Sequence, residues 1–240
     1  MSFVIKALKN FVKSPEKIHP EDVVVALVGV AGSGKSTFLE LATGHTGAVN
    51  HNLKSQKSKI LAVKMPQTSS SRSIWLVDTP GIDSADKNLS EPKVLGSIAE
   101  FLERRCPKPK GLDGILYFYN ISHGKIQETA SSKAAEFKKL MDGSFQNVIL
   151  TTTFWDDIHP DDLQNTQQDE IHLNQYWQEV GDEVRQHRFL NTRESAISII
   201  QLITPLSAES RENTPGRTFS LLVYKYYQCS GASADYFHQD

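Results

Sequence analysis

The chain has 240 residues, of which 39% are hydrophobic and 22% are charged, a balance typical of a folded globular protein. This length suits one large domain, or one domain with appended segments. The formal net charge of −2 gives no global electrostatic reason to expect binding to nucleic acid or to an acidic membrane. No apolar run approaches the ~18 residues that a membrane span requires.

Cysteine usage and the N-terminal residues bear on the compartment. Cys106 and Cys229 form neither a CxxC motif nor a disulfide framework, which suits a reducing compartment. The apolar residues near the N-terminus are interrupted by lysines, unlike those of a secretory signal. We therefore expect a cytoplasmic protein.

The first twenty residues are predicted to precede the main domain. Residues 3–13 have the spacing of a short amphipathic helix with lysines on its polar face. One interpretation is a helix that packs on the domain or is partly disordered. The other is a weak contact with a membrane surface or a partner protein. Residues 14–20 contain Pro15 and Pro20 and are predicted to be a linker.

The strongest motif lies at residues 29–37, whose sequence fits the phosphate-binding pattern G-x-x-x-x-G-K-[ST]. A β-branched run at residues 23–28 predicts a buried strand before it. A helix is predicted from Thr37, with Gly44 as its stop. Strand, glycine loop and helix are the context that this motif requires.

The residue types of this loop explain its chemistry. Glycines let consecutive backbone N–H groups converge on one point, and the helix N-terminus adds its own free N–H groups. Lys35 is predicted to bridge the outer phosphates, and the Ser36 hydroxyl to bind Mg²⁺. The predicted phosphate-binding residues are Gly29, Ala31, Gly32, Ser33, Gly34, Lys35, Ser36 and Thr37.

A second motif, Asp78-Thr79-Pro80-Gly81, follows a predicted strand at residues 73–77. Between the motifs we predict a mobile loop at 45–58 and a strand at 59–64. A D-x-x-G at this position can hold Mg²⁺ through Asp78, as in P-loop nucleotide hydrolases. Gly81 has no side chain to shield its N–H from a γ-phosphate. We therefore assign Ser36 and Asp78 to metal binding, and Lys35 and Gly81 to catalysis.

The rest of the chain alternates between helix and strand patterns. Helices are predicted at 90–105, 131–141, 173–184 and after Thr192, which can cap the last one, and strands at 112–119, 147–150 and 187–190. This alternation predicts an α/β fold, a three-layer doubly wound and mostly parallel sheet with ligands at the carboxyl ends of its strands. Trp75 and the aromatic cluster 117–119 are predicted to be core residues.

Other segments carry weaker signals. The acidic stretch 156–170 is interpreted as a solvated helix entry, with a metal site as the minor alternative. After Pro205 the pattern assigns no structure. We therefore predict one main domain at 21–204 and a C-terminal extension of uncertain order at 205–240.

The order of these motifs resembles that of a P-loop GTPase. More narrowly, the chain resembles septin-like and immunity-associated (GIMAP-type) GTPases, particularly the G-domain proteins abundant in fungi. The resemblance rests on residues 78–83, 151–156 and 189–196 and covers roughly residues 21–203. It implies that residues 21–204 form a G domain, with GTP and GDP as ligands and with Mg²⁺. Thr153 and Asp156 match the base-reading motif, and Asn191 and Thr192 match the loop that meets the guanine oxygen.

Three departures from the family pattern affect the expected activity. Phe154 replaces the lysine whose stem lies over the base, and an aromatic ring could stack there instead. Ile82 stands where Ras-like GTPases carry a water-positioning glutamine, which implies slow hydrolysis unless a partner or a dimer supplies the missing group. Lys57 stands where related sequences carry threonine, so Thr46, Ser55 or Ser58 would complete the Mg²⁺ shell.

We expect a guanine-nucleotide switch with slow, Mg²⁺-dependent GTP hydrolysis. One alternative is a pseudo-GTPase that binds nucleotide for assembly, and a weaker one is an ATP-using enzyme such as a kinase. Expected partners are guanine nucleotide, a nucleotide-dependent homodimer and an unidentified protein effector, without nucleic acid. His45 and His51 lie in the loop at 45–58, where they either approach the γ-phosphate or are simply exposed.

Overall fold

The computed structural model describes residues 16–46, 60–66, 72–82, 90–106, 111–122, 147–180 and 184–203. The predicted helices at 3–13 and 131–141, and the extension at 205–240, lie outside the described residues. Most of the loop at 45–58 does as well, including His51 and Lys57.

The described residues form a six-stranded sheet and four α-helices. The strands are β1 (Val23–Gly29), β2 (Leu61–Lys64), β3 (Ile74–Asp78), β4 (Gly114–Asn120), β5 (Val148–Thr153) and β6 (Arg185–Arg188). The helices are α1 (Lys35–Thr43), α2 (Glu91–Arg105), α3 (Leu163–Val180) and α4 (Arg193–Gln201), and two 3-10 turns lie at Trp155–Asp157 and Pro160–Asp162. None of the helices in this part of the chain is long and apolar enough to cross a lipid bilayer.

The sheet has the strand order β2-β3-β1-β4-β5-β6. Only β2 runs antiparallel, against β3, and the remaining pairs are parallel. The predicted doubly wound, mostly parallel sheet is therefore confirmed. Because β1 lies between β3 and β4, its carboxyl end is flanked by theirs, with Leu27 in register with Asp78 and Gly29 with Phe118.

Two hydrophobic clusters cover the two faces of this sheet. Alternate residues of β1 point to opposite faces, as the period of a strand requires. Val24, Ala26 and Val28 join one cluster with residues of α2 and α3. Val23, Val25 and Leu27 join the other with residues of α1 and α4. The result is the predicted three-layer arrangement, with Trp75, Tyr117 and Phe118 buried in it as expected.

A buried carboxylate joins segments at the amino end of the sheet. Asp22 is 4% exposed. Its Oδ2 accepts hydrogen bonds of 2.9 Å from the indole Nε1 of Trp75 and from the backbone N–H of His19. Its Oδ1 accepts a longer one, 3.3 Å, from the N–H of Ser73. This group therefore stabilises the fold at the edge opposite to the strand ends that carry the predicted site.

Several predicted boundaries need correction. The strand predicted at 187–190 is β6 at Arg185–Arg188. Val184, predicted on the preceding helix, lies outside α3 and is buried just before β6. Ser90 precedes α2 as predicted, but its side chain forms no capping hydrogen bond. Thr192 does cap α4, because its side chain accepts a hydrogen bond from the N–H of Ser195.

Candidate nucleotide-binding site

The phosphate loop depends on glycines in conformations that other residues avoid. Gly29, Gly32 and Gly34 have φ angles of 148°, 77° and 93°. A Cβ at Gly29 would also lie 2.5 Å from the backbone oxygen of Phe118 on the adjacent strand. Gly34 is the N-cap of α1 and has no side chain to cover the first-turn amides. The loop therefore directs free backbone N–H groups into the space above β1.

Lys35 lies inside this loop. It is 5% exposed, and its Nζ donates hydrogen bonds to the carbonyl oxygens of Gly29 at 2.9 Å and Val30 at 2.8 Å. Burial lowers the pKa of Lys35 to about 8, and the nearby charge of Asp78 opposes that shift. These two hydrogen bonds hold the ammonium against the backbone of the phosphate loop.

Ser36 and Asp78 form a pair of oxygen donors beside Lys35. The Ser36 hydroxyl donates a 2.8 Å hydrogen bond to Asp78 Oδ2. Asp78 Oδ1 is buried and has no hydrogen-bond partner among the described residues. Burial raises the pKa of Asp78, whereas the Ser36 hydrogen bond and the charge of Lys35 lower it. A hydroxyl and a carboxylate with an unsatisfied buried oxygen fit Mg²⁺, which prefers hard oxygen ligands.

Gly81 packs directly on the phosphate loop. A Cβ at Gly81 would lie 2.4 Å from the Cα of Ala31 and 2.5 Å from its backbone nitrogen. The next residue, Ile82, donates its N–H to the carbonyl of Gly29 at 3.0 Å, and it forms a parallel bridge with Val30. Its side chain is only 2% exposed and packs in the core cluster on the α2 side. The residue at the glutamine position therefore faces the hydrophobic core.

The predicted base-reading motif lies at the end of β5, against the same loop. Thr153 Oγ1 lies 3.0 Å from the backbone oxygen of Ser33. Phe154 has a left-handed backbone (φ 64°), and its ring atom Cε2 lies 3.6 Å from the position of a Cβ on Gly34. Asp156 is exposed in the following 3-10 turn. The structure thus brings Thr153 and Phe154 to the loop and leaves the Asp156 carboxylate accessible to a ligand.

The end of β6 carries the other predicted base contacts. Asn191 and Thr192 lie in the connection to α4, both exposed, and Asn191 has a left-handed backbone with φ 52°. Since β5 and β6 are parallel neighbours, this connection leaves the sheet at the same edge as the turn of Asp156. His45 follows Gly44 at the opposite end of α1 from the loop.

The sequence interpretation missed one group of side chains at this edge. The prediction of a solvated acidic stretch at 156–170 is wrong for Glu170, whose side chain is only 12% exposed and pairs with Arg188 at the end of β6. Asp156, Asp157, Asp161 and Asp162 are exposed as expected, and the described residues contain no cluster with the composition of a metal site. Because 18 residues separate Glu170 from Arg188, no local pattern indicates their contact.

The model of the 50S ribosome-binding GTPase family matches residues 24–150, just over half of the chain. The chain belongs to this family of GTPases. The match includes the phosphate loop and the D-x-x-G motif, and a GTPase domain of this class binds guanine nucleotide. No curated protein matches the chain.

Solved structures with the same fold include Toc33 from Arabidopsis thaliana in complex with GDP and Mg²⁺. The two sequences are 15% identical, and the match covers 85% of this chain and 91% of Toc33 with a TM-score of 0.59. A dimerization-deficient mutant of Toc33 is 16% identical, with coverages of 85% and 90% and a TM-score of 0.57. A mutant of Aquifex aeolicus Era bound to GDP·AlF₄⁻ is 21% identical, with coverages of 78% and 57% and a TM-score of 0.53.

Proposed function

We propose that this protein is a guanine-nucleotide switch that binds GTP and GDP with Mg²⁺ and hydrolyses GTP slowly. The observation that supports it most is the buried Lys35 beside the half-buried pair of Ser36 and Asp78, beneath a glycine loop whose amides are free of side-chain caps. The narrower likeness to septin-like and immunity-associated GTPases stays a prediction that rests on residues 78–83, 151–156 and 189–196.

We assign a role to each residue on the phosphate side of the site. Lys35 and the loop amides hold the outer phosphates and stabilise the negative charge that develops during hydrolysis. Ser36 and Asp78 would hold Mg²⁺, which supplies positive charge against the phosphates when it is bound. The N–H of Gly81 would face the γ-phosphate. Because Ile82 points into the core, no side chain at that position orients water, and intrinsic hydrolysis is therefore slow.

The alternative, a pseudo-GTPase, would bind the same nucleotides but would not hydrolyse GTP. Single-turnover measurements separate the two: phosphate release that follows GTP binding supports a slow GTPase. Tight binding without phosphate release over hours supports a module that uses nucleotide for assembly.

The base side of the site favours guanine. The Asp156 carboxylate accepts hydrogen bonds, and guanine presents the N1–H and 2-amino group as adjacent donors, a pair that adenine lacks. Phe154 supplies a flat apolar ring next to Gly34, on the side where the replaced lysine stem would cover the base.

An Asp156→Asn variant tests this assignment. Loss of hydrogen bonds to a charged group costs about 1.5–3 kcal/mol, so we expect GDP affinity to fall about tenfold to hundredfold. Xanthine carries a carbonyl oxygen in place of the 2-amino group, and the side-chain NH₂ of the asparagine can donate a hydrogen bond to that oxygen. Affinity for xanthosine diphosphate should therefore rise. Asp157→Asn, which changes an exposed neighbour in the same turn, is the matched control. Equal effects of the two substitutions would refute the role of Asp156.

A nucleotide-dependent homodimer is the second part of the proposal. Dimerization is important for the GTPase activity of the chloroplast translocon components atToc33 and psToc159, and a structure from that work shares this fold with a TM-score of 0.52. A dimer of this chain would supply the group that the buried Ile82 does not provide. Ultracentrifugation with GDP and with a non-hydrolysable GTP analogue tests it, and a monomer in both would refute it.

A protein effector, cytoplasmic localisation and a membrane contact through residues 3–13 are also proposals.

A further inference from the structure

Four side chains close a ring across the ends of β5 and β6 and the middle of α3. The guanidinium carbon of Arg188 lies 4.0 Å from the ring centroid of Trp155. Arg188 Nε lies 3.0 Å from both carboxylate oxygens of Glu170, and Nη2 donates to Oε2 as well. Trp155 Nε1 donates to Thr152 Oγ1 at 3.1 Å, and that hydroxyl lies 3.4 Å from Glu170 Oε1. We refer to Thr152, Trp155, Glu170 and Arg188 as the clasp.

The clasp has the features of a rigid contact. Thr152 is fully buried and the Glu170 side chain is only 12% exposed, so half of the ring is shielded from water. Paired N–H groups on one carboxylate fix the plane of the guanidinium, and the tryptophan ring packs on that plane. Most exposed ion pairs contribute little to the stability of the fold. Pairs with this fork geometry and a packed aromatic ring are exceptions.

The clasp holds the turn that carries Asp156. Trp155 stands between Phe154 and Asp156 in the sequence, and Phe154 occupies a left-handed backbone conformation at φ 64°. Such a conformation persists in a bulky residue only when the surrounding structure enforces it. The ring contact to Arg188 and the hydrogen bond to Thr152 hold Trp155 from two directions, and they thereby fix the backbone on either side of it.

The clasp also connects to the loop of Asn191 and Thr192. The backbone oxygen of Arg188 accepts a 3.3 Å hydrogen bond from Ser195 Oγ, which in turn accepts one from the N–H of Leu190 at 3.0 Å. The N–H of Ser195 donates to Thr192 Oγ1 at 3.1 Å. Arg188 therefore contacts both predicted base loops, through its side chain at Trp155 and through its backbone oxygen at Ser195, although it belongs to neither.

We propose that the clasp positions the base-recognition loops and sets the selectivity for the guanine 2-amino group. This inference rests on the proposed function and deepens it. Thr152, Trp155, Glu170 and Arg188 are positioning residues that act through Asp156. The clasp fixes the turn in which Phe154 takes the place of the usual lysine.

The test compares affinities for GDP and for inosine diphosphate, which keeps the N1–H but lacks the 2-amino group. In Arg188→Ala we expect GDP affinity to fall about tenfold, the loss of one aligned hydrogen bond to a charged group, and inosine diphosphate affinity to fall less. The ratio of GDP affinity to inosine diphosphate affinity should therefore decrease. Arg188→Lys, which keeps the charge without the fork, should give an intermediate ratio. Arg104→Ala breaks an exposed pair with Glu100 on α2 and should leave the ratio unchanged.

Two further variants distinguish positioning from general support of the fold. The double variant Glu170→Ala/Arg188→Ala should lower the ratio no more than Arg188→Ala alone, because both residues act as one unit. Trp155→Phe keeps an aromatic ring but removes the donor to Thr152, so it should fold and still lower the ratio. Folded variants with an unchanged ratio would overturn the clasp while leaving GDP binding by the wild type intact. A wild-type protein that binds no GDP would overturn the proposed function and the clasp with it.

Discussion

Replacing Gly81 with alanine introduces one methyl group at the closest contact between the D-x-x-G motif and the phosphate loop. The new carbon would lie 2.4 Å from the Cα of Ala31 and 2.5 Å from its nitrogen. Non-bonded carbons meet at about 3.5–4.0 Å, so the contact is about 1 Å too short. Both neighbours are backbone atoms and cannot rotate away. Either the loop or the segment that carries Gly81 must therefore move.

The size of the effect follows from this overlap. Overpacking of this kind costs about 1–3 kcal/mol. If the strain falls on the nucleotide-bound arrangement, GTP affinity should fall about tenfold to hundredfold. GDP affinity should fall less, because the N–H of Gly81 is expected to face the γ-phosphate. The melting temperature should drop by several degrees, at about 2–4 °C per kcal/mol for a chain of this size.

Gly44→Ala is the matched control for Gly81→Ala. Gly44 has φ 72°, and no atom lies within 4 Å of the position that a new Cβ would take there. The variant therefore introduces only backbone strain, at the far end of α1. Calorimetric titration with GTP and GDP, together with thermal melts, compares the two. The reasoning is refuted if Gly81→Ala keeps the GTP affinity and melting temperature of the wild type.

Three other predictions concern buried groups. Because the pKa of Lys35 is about 8 rather than 10.5, the unfolded chain binds more protons between those values. Stability without nucleotide should rise by roughly 3 kcal/mol through this window, while GDP affinity, which needs the ammonium, should fall above pH 8. Ile82→Gln should cost roughly 2–4 kcal/mol by burying an amide in the core, without faster single-turnover hydrolysis. Asp22→Ala should cost about 2–3 kcal/mol by leaving Trp75 Nε1 unpaired, with GDP affinity unchanged, because Asp22 lies at the opposite edge of the sheet.

Each of these outcomes has a direct check. Urea unfolding and GDP titrations across the alkaline range test Lys35, and Lys35→Met should flatten the profile of stability against pH. A flat wild-type profile would contradict the account. Faster hydrolysis in Ile82→Gln would show that this side chain reaches the site, and weaker GDP binding in Asp22→Ala would show that the two edges are coupled.

The phosphate site is the part that sequence predicts best, because its determinants are local. The spacing of Gly29, Gly34 and Lys35 fixes a turn between one strand and one helix, and the structure shows that turn. The strand β6 is different: its residues Arg185–Arg188 are polar and carry no apolar alternation. The apolar signal at Phe189 comes instead from the connection after β6, where its ring packs 5.0 Å from that of Phe38 on α1.

Long-range contacts account for what the sequence does not reveal. The place of Ile82 directly after the D-x-x-G motif predicts a side chain that faces the reaction, but its bridge to Val30 turns that side chain into the core. The clasp depends on the register of β6 against β5, in which Arg188 lies opposite Thr152. Neither the register nor the ion pair to Glu170 leaves a periodic signal in the chain.

The most direct test of the central claim is a binding titration of the whole chain with GTP, GDP and ATP, with and without Mg²⁺. The account predicts that GTP and GDP bind, that Mg²⁺ strengthens GTP binding, and that Lys35→Ala loses both nucleotides. ATP should not displace bound GDP. ATP that competes as well as GTP does, or wild-type protein that binds neither guanine nucleotide, would contradict it.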